Sequence, residues 1–177
     1  MITALFDTET TGLIDNRVMQ DVHQPRVIEF YGMKIDDRGT KIAELEFRCN
    51  PGRPIPAIVT KVTGIKDADV AGCFPFLAHM KSVREFFAEA DLVVAHNLKF
   101  DLQMINMEFE RNGSAIEWPS RLLCTIEETE YLAGTRMKLG DLHEHLFGEK
   151  FADAHSARAD VEALARCFLD LKSKGLI

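Results

Sequence analysis

Cysteine is scarce, with four in 177 residues. Cys49, Cys73, Cys124 and Cys167 stand far apart and form no C-x-x-C pair, which argues against a zinc site or a disulfide framework and for reduced thiols. Long apolar runs are missing as well. Nothing approaches the roughly 18 apolar residues that a membrane span needs, and the N-terminus has no basic stretch leading into an apolar signal core. A soluble, cytoplasmic protein without a membrane partner is therefore expected. There is no Gly/Ser linker, repeat or low-complexity tract, and 46% hydrophobic against 28% charged residues argues against disorder over most of the chain. Positive charge is in deficit: 21 Lys and Arg against 28 Asp and Glu give a net charge of −7, which argues against a broad basic surface. No boundary interrupts the chain. One domain over residues 1–177 is expected, able to bury about 70% of its unfolded surface.

What the chain does have is acid in particular places. In the segment Phe6-Asp7-Thr8-Glu9-Thr10-Thr11-Gly12-Leu13, two carboxylates follow an alternation in which Ile2, Ala4 and Phe6 interleave with Thr3 and Leu5. Met1 to Phe6 reads as a β-strand in which residues at i and i+2 share a face, so Asp7 and Glu9 point the same way, roughly 6–7 Å apart at the backbone. Bare, they repel. Divalent cations held by hard oxygen ligands relieve the repulsion, and ions about 3.5–4 Å apart can clamp a phosphodiester. The alternative is a strand running into a polar turn with both acids in solvent.

Two later segments bear on that choice. Ala95-His96-Asn97-Leu98-Lys99-Phe100-Asp101 follows the apolar run Leu92-Val93-Val94-Ala95, so its polar residues sit where a second strand ends and a helix begins. Ligand sites in open α/β sheets form outside the carboxyl ends of strands. His155-Ser156-Ala157-Arg158-Ala159-Asp160 leads into Val161, Leu164, Phe168 and Leu171 at helical spacing, which puts Asp160 in the first turns of a long amphipathic helix. His155 stands five residues earlier, about 140° away around an ideal helix, and is placed on the entering loop. His143 and His145, at i and i+2, do not share a helix face; a solvated helix is expected there.

Asp7, Glu9, Asp101, His155 and Asp160 occur in the order and local contexts of the DEDDh 3'-5' exonucleases, and the chain resembles that DnaQ-like family, which includes the proofreading epsilon subunit of bacterial DNA polymerase III. The resemblance runs from Ile2 to about Leu171 and includes Val62-Thr63-Gly64-Ile65 and Lys138-Leu139-Gly140-Asp141-Leu142. The D-x-E-T-T-G start is closer to the proofreading branch than to the oligoribonuclease branch with its usual D-x-E-M-T-G. The resemblance implies that Asp7, Glu9, Asp101 and Asp160 bind two Mg2+ or Mn2+ ions, oxygen-only ligation suiting these metals rather than zinc. One ion would activate a water and the other offset charge on the leaving 3' oxygen. His155 would be the general base, since imidazole titrates near neutral pH. Thr10, Thr11, Gly12 and Leu13 would line the pocket for the terminal nucleotide, with His96, Asn97 and Phe100 opposite; core packing is an equal reading for Phe100. The partner would be a single-stranded or frayed DNA 3' end, and the product a nucleoside 5'-monophosphate. The net negative charge fits a small footprint on a strand end.

Two rival readings are an RNA-processing exoribonuclease and a non-enzymatic module docking a DNA polymerase. All five chemical positions being present argues against the second. The chain ends soon after Leu171, without the extended tail by which the polymerase subunit joins its partner, so a stand-alone, phage-encoded or accessory enzyme is as open as a replicative subunit. The expected elements are strands near 2–6, 26–36 and 41–49, helices near 57–63 and 77–89, a strand near 91–95 and a helix near 98–111. A short strand near 121–124 and helices near 126–133, 138–147 and 156–173 complete the series. Asp36-Asp37-Arg38-Gly39 suits a hairpin turn, and 13–26 is expected to be a surface loop beside the site. Three strands followed by alternating elements fit an α/β fold with a mixed central sheet flanked by helices. The resemblance specifies it as ribonuclease H-like.

Overall fold

The alternating strand at the start of the chain sends Leu5 to one side of a sheet and Phe6 to the other, and this split organises the whole core. A computed structural model describes residues 1–15, 23–152 and 155–177. Its sheet has five strands in the order β3-β2-β1-β4-β5: β1 (Thr3–Thr10), β2 (Val27–Ile35), β3 (Lys41–Arg48), β4 (Leu92–Ala95) and β5 (Leu122–Cys124). The first three pair antiparallel and the last two join in parallel, which makes the sheet mixed. Around it lie α1 (Ala57–Thr63), α2 (Asp67–Val70), α3 (Met80–Ala88), α4 (Leu98–Arg111), α5 (Thr125–Ala133), α6 (Leu139–Phe147) and α7 (Ala157–Ser173). Among the described residues no helix is long and apolar enough to cross a membrane.

One face of the sheet carries Phe6, Phe30 and Val93 against Phe87 of α3 and Met104 and Ile105 of α4. The other carries Leu5, Tyr31 and Val94 against Val161, Leu164 and Phe168 of α7. Gly32 in β2 permits the close approach of α3, because a Cβ there would lie 2.7 Å from the ring of the buried Phe86. The hairpin between β2 and β3 forms where expected. Asp36 Oδ1 accepts from the amides of Arg38 and Thr40 at 2.9 Å each, and Gly39 takes the positive φ of 80° that closes the turn.

The structure departs from the sequence expectations in four places. β1 continues to Thr10 rather than ending at Phe6, because Asp7 and Glu9 stay paired with Tyr31 and Glu29 of β2; polar side chains end the apolar alternation without ending the backbone ladder. The helix expected from 77 begins as a 3-10 turn, Phe76–His79, and becomes α-helical at Met80. The short α2, held by the Lys66 amide donating to Asp69 Oδ2 at 2.7 Å, was not anticipated. His143 is buried rather than solvated: its Nδ1 pairs with the Glu149 carbonyl oxygen at 2.7 Å, and Phe147 and Phe151 pack on its ring. His145 is exposed as expected. The expected loop 13–26 lies partly outside the described residues, which resume at His23.

Candidate active site

Because β1 stays extended past Phe6, Asp7 and Glu9 fall on the same face as Leu5, the face covered by α7. α7 starts at Ala157 and carries Asp160 in its first turn. The result is a cluster of three half-buried carboxylates, Asp7, Glu9 and Asp160, each offering one oxygen within 4.8 Å of the others. Asp101 comes from the first turn of α4, is 2% exposed, and turns toward β1, where its Oδ1 accepts from the Thr8 hydroxyl at 2.7 Å and the Thr8 amide at 3.2 Å. In this rotamer it stands beside the three-carboxylate cluster, and its charge is the strongest of the neighbouring charges acting on Asp7.

Taking carboxylates out of water and crowding them disfavours ionisation. Burial first, then Asp101 and Glu9, hold Asp7 well above the usual carboxylate range. Burial and the charges of Asp160 and Glu29 push Glu9 to about 8. Burial raises Asp101 to about 7, against the opposing pull of the Thr8 hydrogen bonds. Asp160 is raised to about 6, again mainly by burial. Such a set of hard oxygen donors is held together at neutral pH by protons or by cations, and it fits divalent metal ions of the oxygen-loving class.

The strain follows a pH course that can be measured. The unfolded carboxyls ionise near 4, whereas the folded ones at about 6, 7 and 8 retain protons that the unfolded chain has already released. Their stabilisation is fully present below about pH 4 and is lost as pH rises through the folded values. In EDTA the melting temperature should therefore fall between pH 5 and 8, and divalent metal should reverse the fall at pH 8 by binding the folded chain alone. A melting temperature that rises over this range in EDTA would contradict the electrostatic account.

His155 lies on the loop entering α7, exposed, with φ 73°. Its amide reaches the Asp160 carboxylate at 3.2 Å and 3.4 Å, so the backbone fastens to the cluster while the imidazole belongs to the side chain facing solvent. Asn97 at the head of α4 has φ 75°. These are the two non-glycine residues with positive φ among those described, one entering α7 and one at the head of α4. Such backbone strain costs on the order of 1–3 kcal/mol and persists where the surroundings enforce it.

The remaining candidates fall on two segments, the turn after β1 and the stretch from β4 into α4. Thr10 donates its hydroxyl to the Gly12 carbonyl oxygen at 2.7 Å, and Thr11 is locked to Arg26 by its amide and hydroxyl at 2.8 and 2.9 Å. Both hydroxyls thus shape the turn. Gly12 has open space where a Cβ would project, and Leu13 is an apolar side chain 84% exposed. On the second segment, Phe100 is partly buried against the core. His96 has both ring nitrogens spent inside the protein, on the Thr125 hydroxyl at 2.9 Å and the Met137 carbonyl oxygen at 3.1 Å, and burial lowers it to about 4. It is a neutral tie between β4, α5 and the loop before α6, and its nitrogens are not available to a nucleotide while these bonds hold.

One acid in this neighbourhood escaped the sequence reading. Glu29 sits opposite Glu9 on β2, 6% exposed, and its charge acts on Asp7, Glu9 and Asp160. Its signal was available: an ionisable residue inside the apolar run Val27-Ile28-Glu29-Phe30, where acids are almost never buried unless paired.

The chain is similar to known proteins over nearly its whole length. A family model described as exonuclease matches residues 5–168. The PolC-type DNA polymerase III of Streptococcus pneumoniae is 32% identical over 163 residues, covering 92% of this chain and 10% of its own length. That of Listeria innocua is 37% identical over 109 residues, 62% of this chain and 7% of its own. The chain thus spans about a tenth or less of these curated relatives. Among solved structures, E. coli Exonuclease I in complex with a dA16 oligonucleotide superposes with a TM-score of 0.79 at 18% identity, over 99% of this chain and 42% of that one. Exonuclease X in complex with 5' overhanging duplex DNA gives 0.67 at 19% identity, over 98% and 93%. With the expected mixed sheet and a family match over nearly its whole length, the chain belongs to the DnaQ-like exonuclease family.

Proposed function

We propose that the protein is a 3'-5' exodeoxyribonuclease, which hydrolyses the 3'-terminal phosphodiester of single-stranded or frayed DNA and releases nucleoside 5'-monophosphates. The observation that carries this reading is the convergence of Asp7, Glu9 and Asp160 beside an exposed His155 whose backbone is bonded to Asp160. Asp7, Glu9 and Asp160, with Asp101 turning in from Thr8, would hold Mg2+ or Mn2+. Bound there, such ions would acidify water and offset the charge that develops on the leaving oxygen. His155 takes a proton from the attacking water, the new P–O bond forms as the P–O3' bond breaks, and the departing 3' oxygen is protonated from solvent. Leu13, exposed at the end of the Thr10–Gly12 turn, offers an apolar surface to a terminal base. A frayed end enters such a pocket at little cost because it is already unstacked. Support for DNA as substrate comes from the DNA-bound Exonuclease I and Exonuclease X and from the polymerase relatives, which also make proofreading or repair the reading for its role.

Polarity tests the proposal directly. A 5'-labelled DNA oligonucleotide should yield a ladder shortening from the 3' end, with mononucleotide as the unlabelled product, and a circular single strand should resist. Labelled mononucleotide at the earliest times, or efficient cutting of the circle, would refute it. A matched RNA strand decides the sugar: DNA should be degraded faster, and the reverse order would make the enzyme an exoribonuclease.

A further inference from the structure

α7 begins with an unusual cap. Ser156 occupies the N-cap position and is of a favoured residue type, yet its side chain makes no capping hydrogen bond. The first amide of the helix, that of the fully buried Ala157, donates instead to Glu29 Oε2 on β2 at 3.1 Å, across 128 residues of sequence. The other oxygen of Glu29 accepts from Arg48 Nε at 2.8 Å. Glu9, Glu29 and Arg48 are direct neighbours on three successive strands, so they form one row across the sheet face that α7 covers.

Such a row is expensive. Like charges directly opposite each other on adjacent strands destabilise a sheet, and Glu29 faces Glu9 while also raising the energy of ionised Asp7 and Asp160. Arg48 offsets part of this, but its side chain is 46% exposed where that of Glu29 is 8% exposed. An apolar residue would suit the strand better. What an apolar residue cannot do is hold the N-terminus of α7, where a side-chain oxygen of the right reach can accept from the free amide. The amide held by Glu29 lies three residues before Asp160 and two after His155.

We propose that Glu29 is a positioning residue of the nuclease site: its carboxylate caps α7 and thereby sets Asp160 and His155 in register with Asp7 and Glu9. This rests on the nuclease reading of the site, but the placement of α7 can be tested apart from it. Three substitutions separate reach from charge. Glu29→Ala removes the acceptor. Glu29→Gln keeps an acceptor of the same length without the charge, and Arg48, half in solvent, can swing away from its amide. Glu29→Asp keeps the charge but falls short by one methylene.

Each variant is measured by Mn2+ titration calorimetry, by kcat and KM on a single-stranded DNA oligonucleotide, and by amide hydrogen exchange over the first turn of α7. Outer groups that orient metal ligands typically contribute about 10- to 100-fold in affinity or activity. Glu29→Ala should weaken Mn2+ binding and lower kcat within that band, leave KM nearly unchanged, and speed exchange at Ala157. Glu29→Gln should recover to within about threefold of the native protein, well inside that band, and Glu29→Asp should resemble the Ala variant. If Gln is as impaired as Ala, charge rather than capping is at work and the proposal fails. It also fails if Ala leaves exchange and Mn2+ affinity unchanged. Should Glu29→Ala not fold, the order of Gln above Asp decides. Fast exchange in the Ala variant of a chain inert toward DNA would sustain the capping of α7 and sink the nuclease reading instead.

Discussion

Asp7→Asn is expected to abolish nuclease activity and at the same time raise the melting temperature of the metal-free protein at pH 8. Both effects follow from one carboxylate. Asp7 is half-buried among Glu9 and Asp160 and carries the added charges of Asp101 and Glu29. Without metal, its ionised form is a liability that the neutral amide removes, and because the side chain keeps some contact with solvent the amide can still be hydrated. With metal, the same charge becomes a ligand. Lewis-acid stabilisation by bound ions is worth several kcal/mol, and each 1.36 kcal/mol is tenfold, so a loss on the order of 10³-fold or more is expected. EDTA should silence the native enzyme just as fully, with Mg2+ or Mn2+ restoring it. A thermal melt in EDTA alongside a digestion assay reads both halves. An active Asp7→Asn enzyme, or undiminished digestion after rigorous metal removal, would overturn the metal-site assignment; an Asn variant that melts lower in EDTA would overturn the account of crowded charge.

The second large effect concerns His155. Replacing it with Ala should lower the rate at neutral pH by about 10²- to 10⁴-fold, the usual contribution of a general base, while Mn2+ affinity stays near native. The contact from residue 155 to Asp160 is made by the backbone amide and survives the substitution. Its left-handed φ of 73° calls for a further variant, since Ala tolerates that region less well than His or Asn. His155→Asn supplies a residue suited to the backbone but unable to serve as the base. Both variants should be slow, and both should recover part of the rate as rising pH supplies hydroxide. If Asn restores the rate, His155 acts through its backbone and not its ring. If either variant loses Mn2+ binding, it is part of the metal site.

The acids were legible in the sequence because each lies at the boundary of a periodic segment: Asp7 and Glu9 after an alternating strand, Asp101 and Asp160 in the first turns of amphipathic helices. Periodicity places such residues on elements and faces, which is how Asp160 and the loop position of His155 could be anticipated. It does not report what a side chain touches. That Asp101 spends Oδ1 on Thr8, and that His96 spends both nitrogens on Thr125 and Met137, depends on rotamers and on contacts 29 to 93 residues away. His143 shows the same limit. Its spacing from His145 argued against a shared helix face, but the solvated helix expected from that spacing was wrong, the ring being buried beneath Phe147 and Phe151. Glu29 was visible only as an oddity in an apolar strand, since the helix it caps lies 128 residues on.

The carboxylate cluster joins the first strand of the fold to its last helix, and this has a consequence for the chain during its synthesis. A nascent polypeptide that has emerged only through α6 possesses Asp7, Glu9, Asp101 and Glu29 but neither His155 nor Asp160. Its acids repel without Asp160 to close the set, and its β2 carboxylate has no helix to cap. The set of acids is therefore completed in one step, when α7 docks on Leu5 and Tyr31.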